Sequence, residues 1–273
     1  MPELPEVETV KRYLEQHITG LKITNYCQYR SNIRHEIAKN FKELTESATI
    51  IALRRKAKYL ILDLDNNYSI IVHLGMTGRF ILETNNYKPL IHDHVVFVLK
   101  PKGQLVFNDT RRFGMLYCVK NNEIAHQRFL KDLGPEPLSK QFNVDYLINT
   151  LGDIKSPIKN SLMNNKIVVG IGNIYASESL FLAKINPERT SNSLTILEAE
   201  NLIIAIKQIL TKAIEAGGTT LKDFVNGDKK PGYFKQELAC YGRENLPCKI
   251  CNTNISKIRQ AGRATYHCTN CQQ

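Results

Sequence analysis

The chain has 273 residues, 42% of them hydrophobic and 23% charged, which suits a globular protein of two domains with a small appendage. No run approaches the roughly 18 uninterrupted apolar residues of a membrane span, and acidic residues stand near the N-terminus where a signal peptide carries its apolar core, so the expected compartment is the cytoplasm. A formal net charge of +11 favours an anionic partner, nucleic acid being the commonest, although charge alone rates an ordinary basic protein about level with a nucleic-acid binder.

Apolar residues at Leu4, Val7, Val10, Leu14 and Ile18 form a helical stripe, with Glu6, Glu8, Lys11, Arg12 and Glu15 on the other face and Gly20 as the stop. Short β-rich runs follow, at Lys22–Tyr29, Thr49–Leu53, Tyr59–Asp63, Tyr68–His73, Arg79–Glu83, His94–Leu99, Gln104–Phe107 and Met115–Val119. That density predicts an antiparallel β-sandwich or barrel. Gly134-Pro135-Glu136-Pro137-Leu138-Ser139 reads as a linker, because two prolines within four residues remove backbone donors and resist helix. Beyond it the chain turns helical. Ser156-Pro157 reads as an N-cap with proline in the first turn, and Thr195-x-x-Glu198 as a capping box opening a helix that runs to Gly217-Gly218. From Phe234 onward, short β-type runs surround two cysteine pairs.

Those pairs are the first chemical signal. Cys248 and Cys251, then sixteen residues, then Cys268 and Cys271 give two C-x2-C knuckles that a β-hairpin can bring together, the pattern of a closed structural Zn2+ site with one ion per chain. Cys27, Cys118 and Cys240 have no such spacing and read as small core hydrophobes. The second signal is Met1-Pro2-Glu3-Leu4-Pro5-Glu6. Removal of Met1 by an aminopeptidase frees Pro2 as a secondary amine, and α-amino groups titrate at about 7.7–8.0 in model peptides, so a useful neutral fraction exists near neutral pH. Such an amine can attack a sugar C1′, displace a base and leave an iminium that acidifies the C2′ proton. Glu3 is placed to donate a proton to the opening sugar. Taken alone the segment is a weak signal, since acidic residues near a helix start commonly complement the helix dipole.

The nine residues from Met1 to Thr9 resemble the N-terminal signature of the formamidopyrimidine-DNA glycosylase family, bacterial enzymes that remove 8-oxoguanine and ring-opened purines. The resemblance extends over nearly the whole chain. Lys56-Ala57-Lys58-Tyr59-Leu60, His73-Leu74-Gly75-Met76, His92-Asp93-His94, Asp109-Thr110-Arg111-Arg112-Phe113-Gly114, Gly134-Pro135-Glu136-Pro137, Gly172-Asn173-Ile174-Tyr175, Gly217-Gly218-Thr219-Thr220 and the cysteine quartet stand in the family's order.

The resemblance implies a bifunctional DNA glycosylase and abasic-site lyase of base excision repair, monomeric, acting on damaged double-stranded DNA at the bacterial nucleoid. It implies an α+β architecture with a β-sandwich catalytic domain at 1–133, a linker at 134–142, a helix-two-turn-helix domain at 143–233 and a zinc-ribbon hairpin at 234–273. It assigns Pro2 as Schiff-base nucleophile, Glu3 as general acid, Lys58 as phosphate contact and acid for β-elimination, and Arg263 as phosphate clamp and agent of δ-elimination. Strand alternation from Arg54 places Lys56 and Lys58 on one face. Glu6 resembles a buried carboxylate that orients the proline. His92, Lys159 and Asn173 resemble phosphate contacts, Asn173 within a Gly170-to-Ala176 turn that offers backbone donors at a helix start. Met76, Arg111 and Phe113 match a trio that enters the duplex when the damaged nucleotide leaves it, and residues 219–233 resemble a flap over the flipped base. Asn160, where a proline is usual, and Cys240, at a usually aliphatic site in a β-run, depart from the pattern and bear on helix geometry and redox sensitivity. Two alternatives stay open. An endonuclease VIII-type enzyme shares the proline nucleophile but has glycine where this chain has Leu4, and a non-catalytic zinc-ribbon DNA-binding protein needs neither a free Pro2 nor Glu3.

Overall fold

The computed structural model describes residues 2–84, 86–219 and 234–273. Chain contacts divide it into two compact units, Met1–Lys131 with Gly217–Tyr233, and Asp132–Ala216 with Phe234–Gln273.

In the first unit the apolar stripe folds as helix α1 (Leu4–Ile18), with Leu4, Val7, Val10, Leu14 and Ile18 all buried. Full burial of each such side chain stabilises the fold by roughly 1.5–3 kcal/mol relative to exposure. Eight antiparallel strands follow: β1 (Lys22–Gln28), β2 (Ile50–Lys56), β3 (Tyr59–Leu64), β4 (Tyr68–His73), β5 (Arg79–Glu83), β6 (Asp93–Lys100), β7 (Gly103–Asn108) and β8 (Met115–Lys120). They form two four-stranded sheets, ordered β1-β6-β7-β5 and β2-β3-β4-β8, and make a β-sandwich. Alternate residues Leu60, Leu62 and Leu64 of β3 join Val95, Phe97 and Phe107 of the other sheet in a core that α1 also enters. Helix α2 (Phe41–Thr45), absent from the sequence reading, seats a fully buried Phe41 in this core; five residues are too few to carry a periodic signal.

Lys58 corrects the alternation argument. It lies in the two-residue turn between β2 and β3, closed by the Lys56–Tyr59 pair, and Ala57 there takes φ of 54°. Lys56 and Lys58 are therefore not alternate residues of one strand. Arg55 holds the turn, donating from Nη1 to the Ala57 carbonyl at 2.9 Å and from Nε to Glu8 at 2.8 Å.

In the second unit, α3 (Val144–Leu151) is N-capped by Asn143, whose side chain accepts from the Tyr146 N–H. Helix α4 (Ile158–Leu162) begins with Pro157 at its N-cap, one residue later than the Ser156 cap read from sequence; the Ser156 hydroxyl instead lies 3.1 Å from that of Ser161. Asn160 sits inside an intact α4. Helix α5 spans Asn173–Leu182, and α6 spans Ile196–Glu215 with the expected capping box between Thr195 and Glu198. The stretch read as a linker is bonded to this unit: Gly134 N–H donates to the Asn165 carbonyl, and Val169 N–H to that of Pro135. A hairpin of β9 (Ser256–Gln260) and β10 (Arg263–His267) follows, turned by Ala261 and Gly262, both at positive φ. Cys240 lies in a bend rather than the β-run expected of it, because the backbone N–H groups around it turn toward a helix carboxylate instead of a strand partner. No helix among the described residues is long and apolar enough to cross a membrane.

Candidate functional site

Pro2 and Glu3 are both buried at the start of α1. The Glu6 carboxylate organises this end: Oε2 accepts the Glu3 N–H at 2.8 Å and Oε1 accepts the Thr219 N–H at 2.8 Å. One buried carboxylate thus fixes the backbone beside Pro2 and tethers Thr219 to α1. Gly218 permits the approach, for at φ 83° a Cβ there would lie 3.2 Å from Glu6 Oε1. Of the 219–233 flap only Thr219 falls among the described residues.

Lys58 is buried, and its charge acts on His73 at the end of β4. Removal of the His73 imidazole from water, then the charges of Lys58 and Arg34, bring its pKa down to about 4. Its Nδ1 accepts the Gly75 N–H at 3.0 Å, so the neutral ring carries its proton on Nε2. Met76 follows on a turn closed by the Gly78 N–H to the Leu74 carbonyl. Arg111 and Phe113 are both exposed, with the guanidinium 4.9 Å from the ring centroid, and Phe113 stands out from the sandwich as a large apolar side chain in water. His92 is half-buried one residue before β6, and its carbonyl accepts the Asp109 N–H.

In the second unit Lys159 is 1% exposed, and its ammonium points inward. It donates to Asn173 Oδ1 at 2.5 Å, Thr265 Oγ1 at 2.7 Å and the Ala264 carbonyl at 3.2 Å. Asn173 Nδ2 donates to the same Ala264 carbonyl at 2.9 Å and to the Tyr241 hydroxyl at 3.4 Å. Lys159 and Asn173 therefore hold β10 next to Arg263, which is itself exposed at the hairpin turn. A second anchor, legible in the sequence only as one more helix charge, is Glu178. It is buried on α5, with Oε2 accepting the Ala239 N–H and Oε1 those of Cys240 and Tyr241, at 2.7–2.9 Å. Neither His73, Tyr241 nor Glu178 was assigned a role from sequence; His73 alone had a signal, its place in the His73-to-Met76 motif.

The four cysteines meet beside the hairpin, their Sγ atoms all within 4.8 Å of one another. A tetrahedral site with metal–sulfur bonds of about 2.3 Å needs sulfurs about 3.8 Å apart, so the residues fit a small thiophilic cation. Cys248 and Cys268 are buried against Cys240, Ile255 and Phe181. Burial, first, and then the Glu178 carboxylate hold the Cys240 thiol protonated well above its usual range, and with no exposed surface it is a packing residue.

Comparison with known proteins bears on the whole chain. The family model for the formamidopyrimidine-DNA glycosylase N-terminal domain matches residues 1–116, and the model for that family's H2TH domain matches 133–225. A formamidopyrimidine-DNA glycosylase of Rickettsia conorii is 53% identical over 272 residues, covering 100% of this chain and 99% of the relative; one of Rickettsia bellii is 52% identical over 273, covering 100% of both. The crystal structure of the MutM (Fpg) protein of Thermus thermophilus is 37% identical with a TM-score of 0.90, covering 99% of this chain and 98% of that one. A mutant of the Lactococcus lactis FPG, solved in complex with a Fapy-dG containing DNA, is 34% identical with a TM-score of 0.92 and full coverage of both chains. With half of its residues identical to these relatives from end to end, and with both family domains in order, the chain belongs to the formamidopyrimidine-DNA glycosylase family.

Proposed function

We propose that the protein is a bifunctional DNA glycosylase and abasic-site lyase that excises oxidised purines, 8-oxoguanine and formamidopyrimidines, from duplex DNA. The observation that carries this reading is the buried Pro2-Glu3 pair, held by the Glu6 carboxylate, in a chain of this family. Once Met1 is removed, the neutral Pro2 amine attacks C1′, the base leaves with the electrons of the glycosidic bond, and the proton that the proline nitrogen sheds on becoming a tertiary amine passes to the departing base. The nitrogen lone pair then opens the sugar while Glu3 protonates the departing ring oxygen, leaving an iminium at C1′. Loss of the C2′ proton drives β-elimination of the 3′ phosphate, with Lys58 supplying a proton, and Arg263 promotes loss of the remaining phosphate in δ-elimination. His92, Arg111, Lys159 and Asn173 serve DNA binding, and Met76, Arg111 and Phe113 fill the space vacated by the flipped nucleotide, offsetting the few kcal/mol of lost stacking. The inward-facing bonds of Lys159 and Asn173 support an indirect part for both, exerted through β10 and Arg263. Cys248, Cys251, Cys268 and Cys271 hold one Zn2+, which supplies a crosslink that keeps the hairpin folded. The enzyme acts as a monomer in the cytoplasm.

Borohydride trapping tests the reading. Duplexes with 8-oxoguanine opposite cytosine are expected to yield a covalent complex on Pro2, faster than duplexes with an oxidised pyrimidine. A crosslink mapping to Lys58, undiminished trapping by Pro2→Gly, or preference for the pyrimidine duplex would each refute it, the last in favour of the endonuclease VIII-type alternative.

A further inference from the structure

The three side chains assigned to duplex insertion are carried by two surface turns. Met76 lies on the Leu74–Gly78 turn after β4, and Arg111 and Phe113 lie on the turn between β7 and β8. Between these turns sits Asp109, fully buried. Its Oδ1 accepts the Thr77 hydroxyl at 2.5 Å and its Oδ2 accepts the Gly114 N–H at 2.7 Å. The Thr77 hydroxyl in turn accepts the Arg111 N–H at 3.0 Å. Asp109 is itself fixed at both backbone groups, its N–H donating to the His92 carbonyl and its carbonyl lying 2.7 Å from His94 Nε2. The turns also touch directly: a Cβ on Gly75 would fall 2.4 Å from the Phe113 carbonyl carbon.

Every polar atom in this chain of bonds has a partner of the opposite kind. The carboxylate receives two donors, and the hydroxyl both gives and receives, so one buried carboxylate ties together two turns where they leave the sheets, between the strand pairs His73–Met115 and Arg79–Asn108 that flank them. Charge-assisted bonds are the shorter and stronger kind, and a preset geometry spares the ordering cost otherwise incurred on binding. We propose that Asp109 and Thr77 are positioning residues that hold Met76, Arg111 and Phe113 in one register before the duplex arrives. The inference rests on the insertion reading given above and deepens it.

The test uses the whole enzyme with Thr77→Val, which keeps the side-chain shape and removes the hydroxyl, and Thr77→Ser, which keeps the hydroxyl. Each is measured on an 8-oxoguanine duplex and on a duplex with a preformed abasic site, where no base has to be extracted. Thr77→Val is expected to slow 8-oxoguanine excision by about tenfold, the kinetic equivalent of one hydrogen bond, with a much smaller effect on abasic-site cleavage. Thr77→Ser is expected to recover the wild-type ratio. Equal losses on both substrates, an unchanged ratio or no recovery by serine would overturn the proposal. The double variant Met76→Ala/Phe113→Ala separates the two ideas. A selective loss there with none in Thr77→Val refutes the positioning role alone, whereas a parallel loss on both substrates, with a lowered melting temperature, refutes the insertion reading and the positioning role with it.

Discussion

His73 shows how much one side chain's surroundings decide. The sequence offers a histidine at a strand end; the fold takes its ring out of water, sets it beside Lys58 and Arg34, and has it accept the Gly75 N–H. Its pKa of about 4 lies below the unfolded value of 6.5, so between pH 4 and 6.5 the unfolded chain binds the extra proton. Stability from this residue is complete above pH 6.5 and is lost as the pH falls toward 4, with a slope of at most about 1.4 kcal/mol per pH unit. His73→Gln, which can still accept from Gly75, is expected to flatten that limb in urea midpoints measured at half-unit steps. Parallel curves for the two proteins would show that His73 is not the group responsible. Protonation would also place a donor where Gly75 needs an acceptor, so acid disturbs the Met76 turn through the same atom.

The C-terminal hairpin is the element that gains most from what its neighbours supply. Five-residue strands such as β9 and β10 are marginal in isolation, and this pair is held at one end by the cysteine cluster and along β10 by Lys159 and Asn173. Metal analysis is expected to find one zinc per chain, and a chelator or Cys248→Ser is expected to abolish DNA binding by releasing Arg263 while the β-sandwich circular dichroism persists. Stoichiometric metal absent from the purified protein, or intact binding by Cys248→Ser, would contradict the role given to the cluster. Helix α5 contributes to the same end through Glu178, whose carboxylate collects three consecutive N–H groups from residues 239–241. Helix periodicity revealed α1 and α6, because long apolar stripes leave a signal that does not depend on partners. It could not reveal Glu178, because the value of a buried carboxylate lies in donors supplied by a segment about sixty residues away.

At the scale of the molecule, the net charge of +11 predicts binding that weakens with salt, with log affinity changing by about 0.9 per neutralised phosphate against log salt. Arg263→Ala, an exposed cation in the structure, is expected to reduce that slope by about 0.9 in titrations from low to physiological salt. Lys159→Ala is expected to act differently. Its ammonium is bonded to Asn173, Ala264 and Thr265, so its loss takes the donor from Asn173 Oδ1 and Thr265 Oγ1, at about 1–3 kcal/mol each, while the Ala264 carbonyl keeps the Asn173 amide, and affinity falls through stability. Equal slope changes in the two variants would show that Lys159 also reaches phosphate.

The sequence by itself determined what repeats locally or is written as a motif. Strand and helix periods marked out the eight strands and the long helices, knuckle spacing marked the four-cysteine cluster, and the ordered motifs marked the family. Each of these depends on residues within a turn or two of one another, or on fixed intervals. Only the tertiary structure decided where single charges ended. Lys58 sits in a hairpin turn rather than on a strand face, because Ala57 accepts a left-handed backbone and Arg55 secures it. Lys159, a phosphate contact by resemblance, is buried with its ammonium bonded to Asn173, Thr265 and the Ala264 carbonyl, and Asp109, unremarked within its motif, joins two turns. A lysine or aspartate reads the same in sequence whether it faces water or a ring of donors, since its solvation is settled by residues more than a hundred positions distant in the case of Lys159 and by thirty-two in that of Asp109.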